Sequence, residues 1–206
     1  MNFMPEVNVL NRPLRRVLAL LSLAIALPVF FVLATPVFSQ EPAQAPAEKY
    51  FTNVELINQK GEKVRLYVDL LKGKTIVINT FFTTCVSACP PISRNLVKVQ
   101  EAFAQNLGKD LFFISISVDP TTDTPERLRE YAKRFGGRDG WLFITGTKEN
   151  VDFALKKLGQ YVDKKEEHST TLIIGNDKTG LWKKALGLAK PEELIPIVES
   201  VLKDKG

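Results

Sequence analysis

Cys85, Cys89 and His168 are the only two cysteines and the only histidine in a chain of 206 residues. The cysteines stand in Thr83-Thr84-Cys85-Val86-Ser87-Ala88-Cys89-Pro90, and the histidine lies far downstream in Glu167-His168-Ser169. Two thiols four residues apart are open to thiol–disulfide exchange, to metal ligation or to a plain structural disulfide. On a helix or in its first turn, such positions share a face with β-carbons about 5–6 Å apart. That separation suits one metal ion, or a disulfide after modest backbone adjustment. A helix N-terminus would also favour thiolate, the form that binds metals and attacks disulfides.

The elements that must hold these groups can be read on either side of them. Residues 75–82 form an uncharged, largely apolar run of strand length, as expected for a strand buried on both faces. After Pro90, Ile92, Leu96, Val99 and Phe103 recur at helical spacing. Residues 111–118 read as a second buried strand, and Thr124 and Pro125 as cap and first residue of a helix ending at Gly136-Gly137. A short strand over 141–145 and a helical pattern over 151–158 follow. Strands over 170–174 and 181–186 make a hairpin across residues 176–180, and Pro191 opens a last helix. Upstream, strands over 51–58 and 63–68 are joined at Gln59-Lys60-Gly61, and residues 69–74 read as a turn. No internal repeat is present. The order predicts a thioredoxin-like mixed α/β sheet flanked by helices, with an extra N-terminal β-hairpin. Cys85 would then fall at the carboxyl end of the first buried strand, where ligands gather in such sheets.

Composition bounds the remaining readings. Of the formal charge of +5, residues 1–39 carry +2 and residues 40–206 carry +3. No Lys/Arg cluster interleaves with aromatics, so nucleic acid is not expected as a partner. Arg12, Arg15 and Arg16 precede residues 17–38, a stretch of 22 residues without a charge. About 20 apolar residues suffice to cross a bilayer. The arginines would keep residues 1–16 cytoplasmic and send the rest of the chain out. Residues 17–38 are therefore expected to be a transmembrane anchor or a signal peptide. The run exceeds the about 7–15 apolar residues of a typical signal peptide, whereas Pro28 and Pro36 interrupt a helix and Val37-Phe38-Ser39 offers a cleavage site. No cysteine stands near residue 39 to carry a lipid. Residues 39–49 read as a semi-extended linker, and residues 50–206 as one globular domain on the periplasmic side of an inner membrane.

In a thioredoxin-like fold, His168 would lie in the connection that faces the dithiol, where disulfide oxidoreductases carry a cis-proline. No proline occurs between Pro125 and Pro191. Two thiolates and an imidazole suit copper, since soft sulfur selects Cu(I) and nitrogen helps to hold Cu(II). A structural disulfide would close a very short loop and stabilise little. A structural zinc site normally takes four protein ligands, and three are evident. A peroxidase would need threonine or serine three residues before the reactive cysteine, and that residue is Phe82. Asp119 and Asp123 read as turn and cap residues rather than ligands. Trp141, Trp182 and the 13 phenylalanines read as packing.

The chain resembles the Sco/SenC proteins, membrane-anchored thioredoxin-like copper proteins. The resemblance runs through Asp69-Leu70-Leu71-Lys72-Gly73-Lys74, Thr83-x-Cys85-x-x-x-Cys89-Pro90, Ser117-Val118-Asp119-Pro120-x-x-Asp123-Thr124-Pro125-Glu126, Trp141-x-Phe143-x-Thr145-Gly146 and His168-Ser169. It implies copper ligation by Cys85, Cys89 and His168. It also implies a client in the CuA-bearing subunit of cytochrome c oxidase, either as recipient of copper or as a protein whose cysteines are reduced. The first role is that of a non-enzymatic chaperone, the second that of a thiol–disulfide reductase using Cys85 and Cys89 as a redox-active pair. The chain departs from the pattern at Val86 and Ser87, where the family usually has proline and an acidic residue, and at Glu167, commonly aspartate. These departures bear on redox potential and partner surface and leave the implied ligands intact.

Overall fold

The computed structural model describes residues 46–206; the expected cytoplasmic segment, the apolar span 17–38 and most of the linker lie outside them. Among the described residues, no helix is long and apolar enough to cross a membrane. The elements run in the order α1 (Pro46–Phe51), β1 (Glu55–Asn58), β2 (Lys63–Arg65), β3 (Thr75–Phe81), α2 (Cys89–Ala102), β4 (Leu111–Ser117), α3 (Pro125–Arg134), β5 (Trp141–Thr145), α4 (Lys148–Lys157), β6 (Thr171–Asn176), β7 (Leu181–Leu186) and α5 (Pro191–Leu202). One seven-stranded sheet has the order β2-β1-β5-β4-β3-β6-β7. Strands β3, β4 and β5 are parallel, β6 runs antiparallel to β3, and the β1–β2 hairpin adds antiparallel to β5. This is the thioredoxin-like arrangement with the expected N-terminal hairpin.

All seven residues of β3 are buried. Side chains alternate between faces along a strand, and each set meets its own apolar layer. Val77 and Phe81 pack with Ile92 and Leu96 of α2, Leu128 of α3 and Leu194 of α5. Ile76 and Ile78 pack on the other face with Leu66, Leu70, and Val151 and Leu155 of α4. An uncharged, largely apolar run therefore marks a strand covered on both sides. Asn79, also buried, accepts a hydrogen bond from the Ser115 hydroxyl at 2.7 Å, and that hydroxyl oxygen accepts one from the Trp141 indole at 2.9 Å.

Several boundaries differ from those expected. The strand expected over 51–58 begins only at Glu55, and the end of the expected linker is helical, because α1 opens at Pro46. Packing decided this: the Phe51 ring stacks on Tyr67 (centroids 6.4 Å apart, 5° between planes) and lies 5.7 Å from the Trp182 ring. Thr52 then turns the chain with a φ of 62°. The strand expected over 63–68 ends at Arg65, and Leu66–Leu71 winds into a π-helical turn that buries Leu66, Tyr67, Leu70 and Leu71. The Asp69 carboxylate holds that turn, accepting from the Arg65 amide at 2.7 Å and from its guanidinium at 2.9 and 3.0 Å. The hairpin turn at Gly61 (φ 84°), the Thr124 cap and Pro125 at the start of α3 are as expected.

Candidate metal centre

Strand β3 ends at Phe81, and residues 82–88 carry the chain to α2 without regular structure. Cys85 lies in this loop, its amide donating to the Phe82 carbonyl at 3.1 Å, whereas Cys89 is the first residue of α2. The two therefore do not share a helical face as their spacing suggests. They are brought together by the loop turning back on itself. The loop is fixed from below by Asp123, whose carboxylate accepts from the Thr83 amide at 3.1 and 3.3 Å, the Thr83 hydroxyl at 2.5 Å and the Ser117 hydroxyl at 2.6 Å.

His168 follows a 3-10 turn over Lys165–Glu167 and precedes β6. Because β6 runs antiparallel beside β3, its first residues lie level with the last residues of β3. The imidazole Nδ1 lies 2.8 Å from the Lys165 carbonyl oxygen, and Nε2 lies 3.3 Å from the Cys89 Sγ. A carbonyl only accepts, so Nδ1 carries the hydrogen and Nε2 presents a lone pair to the sulfurs. The ring meets Phe82 edge to face, with centroids 5.3 Å apart. Among the described residues, Cys85, Cys89 and His168 are the one grouping of three such side chains, with their donor atoms all within 4.8 Å of one another. Exposures are 7%, 1% and 9%.

The electrostatics separate the two sulfurs. Burial opposes ionisation at Cys85, but hydrogen bonds from the Cys89 thiol, the Cys89 and Ser87 amides and the Ser87 hydroxyl outweigh it and hold the thiol below its ordinary value. Burial, reinforced by the neighbouring Cys85, pushes Cys89 up to about 12. Thiolate character expected of both cysteines thus falls to Cys85 alone. The start of α2 supplies less than a usual helix end, because Pro90 and Pro91 have no amide hydrogen and Ala88 provides no side-chain cap. Burial also lowers the pKa of His168, against the hydrogen bond to Lys165 and the charge of Glu166, and so favours the neutral imidazole.

All three candidate ligands converge, and Asp119 and Asp123 lie outside the cluster. Asp123 is not the expected helix cap, because Thr124 caps α3 and the Asp123 carboxylate holds Thr83 and Ser117 instead. One participant, Lys165, was not singled out in the sequence. Lys165 donates from Nζ to Asp119 at 2.7 Å, and the same ammonium lies 5.3 Å from the Phe82 centroid. A pairing between residues 46 apart leaves no mark in one sequence. Two buried sulfurs and a bare imidazole nitrogen fit a single soft or borderline metal ion such as copper. The same sulfurs can also close on each other as a disulfide. Val86, between them in sequence, is 92% exposed at the loop's crest.

The SCO1/SenC family model matches residues 42–203. A SCO1 protein homolog of Bacillus subtilis is 35% identical over 130 residues, covering 58% of this chain and 65% of the relative's own length. The solved structure of BsSco, a member of the Sco family of cytochrome c oxidase assembly proteins with an identified disulfide switch, is 29% identical with a TM-score of 0.60. It covers 74% of this chain and 95% of that one. The copper-bound structure of Arabidopsis thaliana ScoI has a TM-score of 0.62 at 23% identity, over 74% of this chain and 98% of that one, a likeness of fold.

Proposed function

The chain belongs to the SCO1/SenC family, and from that footing we propose that it binds copper through Cys85, Cys89 and His168 and serves the assembly of a respiratory cytochrome c oxidase by delivering copper to the CuA centre. The observation that carries this reading is the convergence of two sulfurs and a bare imidazole nitrogen within 4.8 Å. Sulfur donors suit Cu(I), and the imidazole extends the set towards Cu(II). The chain's own part is to keep the three donors together, to hold the imidazole as the tautomer that exposes Nε2, and to shield the sulfurs from bulk water. Residues 17–38 would keep the domain at the periplasmic face of the inner membrane, confining its search for a client to the membrane plane. In the purified full chain, Cys85→Ser, Cys89→Ser and His168→Ala should each weaken Cu(I) or Cu(II) affinity by at least about tenfold. Unchanged affinity in all three would sink the proposal.

The different protonation of the two thiols favours a second reading, an extracytoplasmic thiol–disulfide oxidoreductase. The Cys85 thiolate would attack a client disulfide, displacing one client sulfur as thiolate and forming a mixed disulfide. Cys89, losing its proton, would then attack Cys85, releasing the second client sulfur and leaving an intramolecular disulfide. Two electrons pass from the pair to the client. His168→Ala should keep this activity while losing copper. In cells lacking the protein, recovery of oxidase activity and CuA content on adding copper indicates delivery, and no recovery indicates reduction.

A further inference from the structure

Two arms leave the short loop between β4 and α3 and end on opposite sides of the candidate centre. One arm is Asp123. Its carboxylate takes the hydroxyl of Ser117 at the end of β4, and both the amide and the hydroxyl of Thr83. Thr83 is two residues from Cys85, so this arm sets where the cysteine loop leaves the sheet. The other arm is Asp119, 8% exposed, whose amide is fixed by the Ser117 hydroxyl at 2.9 Å and whose carboxylate accepts from Thr121 at 3.0 Å and from Lys165 Nζ at 2.7 Å. Lys165 is the residue whose carbonyl receives the His168 Nδ1 hydrogen. The ammonium also lies over Phe82, and Phe82 meets the imidazole edge to face. The two arms thus close a ring around the centre without reaching the donor atoms.

We infer that the loop 117–123 is a brace for the copper site proposed above, with Asp119 a positioning residue for His168 acting through Lys165, and Asp123 a positioning residue for Cys85 acting through Thr83. The physical case for the first arm is specific. The Asp119 contact ties the Lys165 side chain to the β4–α3 loop and so restrains where the turn over 165–167 sits. The Lys165 carbonyl in that turn sets the tautomer of the imidazole by accepting the Nδ1 hydrogen. Partners of this kind, one bond beyond the ligands, typically govern metal affinity by about 10–100-fold. The arms also differ in what they reach. Asp119 bears on the nitrogen donor and reaches the dithiol only through the 3.3 Å contact of Nε2 with Cys89 Sγ, whereas Asp123 bears on the loop of a sulfur that belongs to both the metal set and the dithiol pair.

That difference supplies the test, in the full chain, with two readouts on each variant. The first is Cu(II) affinity and electron paramagnetic resonance at one equivalent of copper. The second is the midpoint potential of the Cys85–Cys89 pair in metal-free thiol buffers, which the imidazole arm, touching the pair only through Cys89, should move less than the cysteine arm does. Asp119→Asn and Lys165→Met should each weaken Cu(II) binding about 10–100-fold and alter the copper spectrum, with a smaller shift of the dithiol potential than in Asp123→Asn. Lys165→Arg, which can still reach Asp119, should restore both. Asp123→Asn should shift potential and copper spectrum together; if that buried substitution prevents folding, Thr83→Val removes the same hydroxyl contact and should do likewise. Parent-like copper binding in Asp119→Asn and Lys165→Met would overturn the first arm. So would a dithiol potential that moves in these two variants as far as in Asp123→Asn, since that marks general loosening. A parent-like potential in Asp123→Asn or Thr83→Val would overturn the second arm. Failure of the parent chain itself to bind copper would remove the copper reading on which the brace rests.

Discussion

At the scale of single residues, the two sulfurs have different work to do. Cys85 is held below its ordinary thiol value by the donors of Cys89 and Ser87, which outweigh its burial, while burial keeps Cys89 protonated up to about 12. The sign of the pH dependence follows. As pH rises, the Cys85 thiolate accumulates first, and Cys89 stays neutral throughout the range in which proteins are handled. Brief iodoacetamide treatment of the reduced, metal-free chain near pH 8 should therefore label Cys85 in preference to Cys89 by mass spectrometry. Equal labelling would contradict the asymmetry. Ser87→Ala removes one donor and should slow labelling of Cys85 without affecting Cys89. The three candidate ligands were legible because each was rare and each fell at a recognisable point beside a buried strand. Their environments were not legible. That Cys85 leaves the helix, and that Pro90 and Pro91 strip the helix start of amide donors, became evident only once the loop had a path.

At the scale of elements, the strands and helices that bear on the site were readable to within a few residues, because apolar runs and caps obey local rules. Helix α1 was not. Six residues give no periodicity, and Tyr50, Phe51 and Thr52 are strand formers by preference. Contact of Phe51 with Tyr67 and Trp182, far along the chain, prevailed over that preference. The π-helical turn escaped for a similar reason, since Leu66, Tyr67, Leu70 and Leu71 bury together only when the strand gives way. Its carboxylate makes a stability prediction. The Arg65 hydrogen bond, assisted by further donors and charge, holds the Asp69 pKa below its ordinary value against burial. A lowered folded-state pKa gives stability that is present above the unfolded value and lost as pH falls through the folded one. Asp69→Asn should lower the unfolding free energy at pH 7 by about 1 kcal/mol and lose that difference towards acid pH, as the parent carboxylate takes up its proton. Gly140 carries a second prediction. Its φ is 94°, and a Cβ at this position would fall only 2.4 Å from the Gly108 nitrogen, so the turn admits no side chain. Gly140→Ala should cost about 1–3 kcal/mol in denaturant unfolding, and Gly136→Ala, with open space around it, should cost less.

At the scale of the whole molecule, the sheet does two things for the site. Parallel β3, β4 and β5 bring three carboxyl ends to one edge, and antiparallel β6 returns its beginning to the same edge. Ligands and brace thus come from three separate stretches of chain that meet only across the sheet. Export and anchoring through residues 17–38, as proposed, would keep the domain on the side of the membrane where a membrane-bound client can meet it. Protease added to spheroplasts should then degrade the domain while leaving cytoplasmic markers whole, and protection from protease would refute the proposed location.

The antiparallel return of β6 has a thermodynamic consequence. Cys89 and His168 are separated by 79 residues of chain and by 3.3 Å of space. An unfolded chain offers a copper ion at most a flexible dithiol, so the native state binds it more tightly and occupancy becomes a ligand-linked source of conformational stability. Free copper at 100 times its dissociation constant should add about 2.7 kcal/mol, and the melting temperature should climb with the logarithm of copper concentration. In His168→Ala the climb should shrink, because the mutant's remaining donors lie close together along the chain whether or not it is folded. Scanning calorimetry across a copper titration reads this directly: a parent chain whose melting point ignores copper would mean that metal capture and the closing of the sheet are independent events.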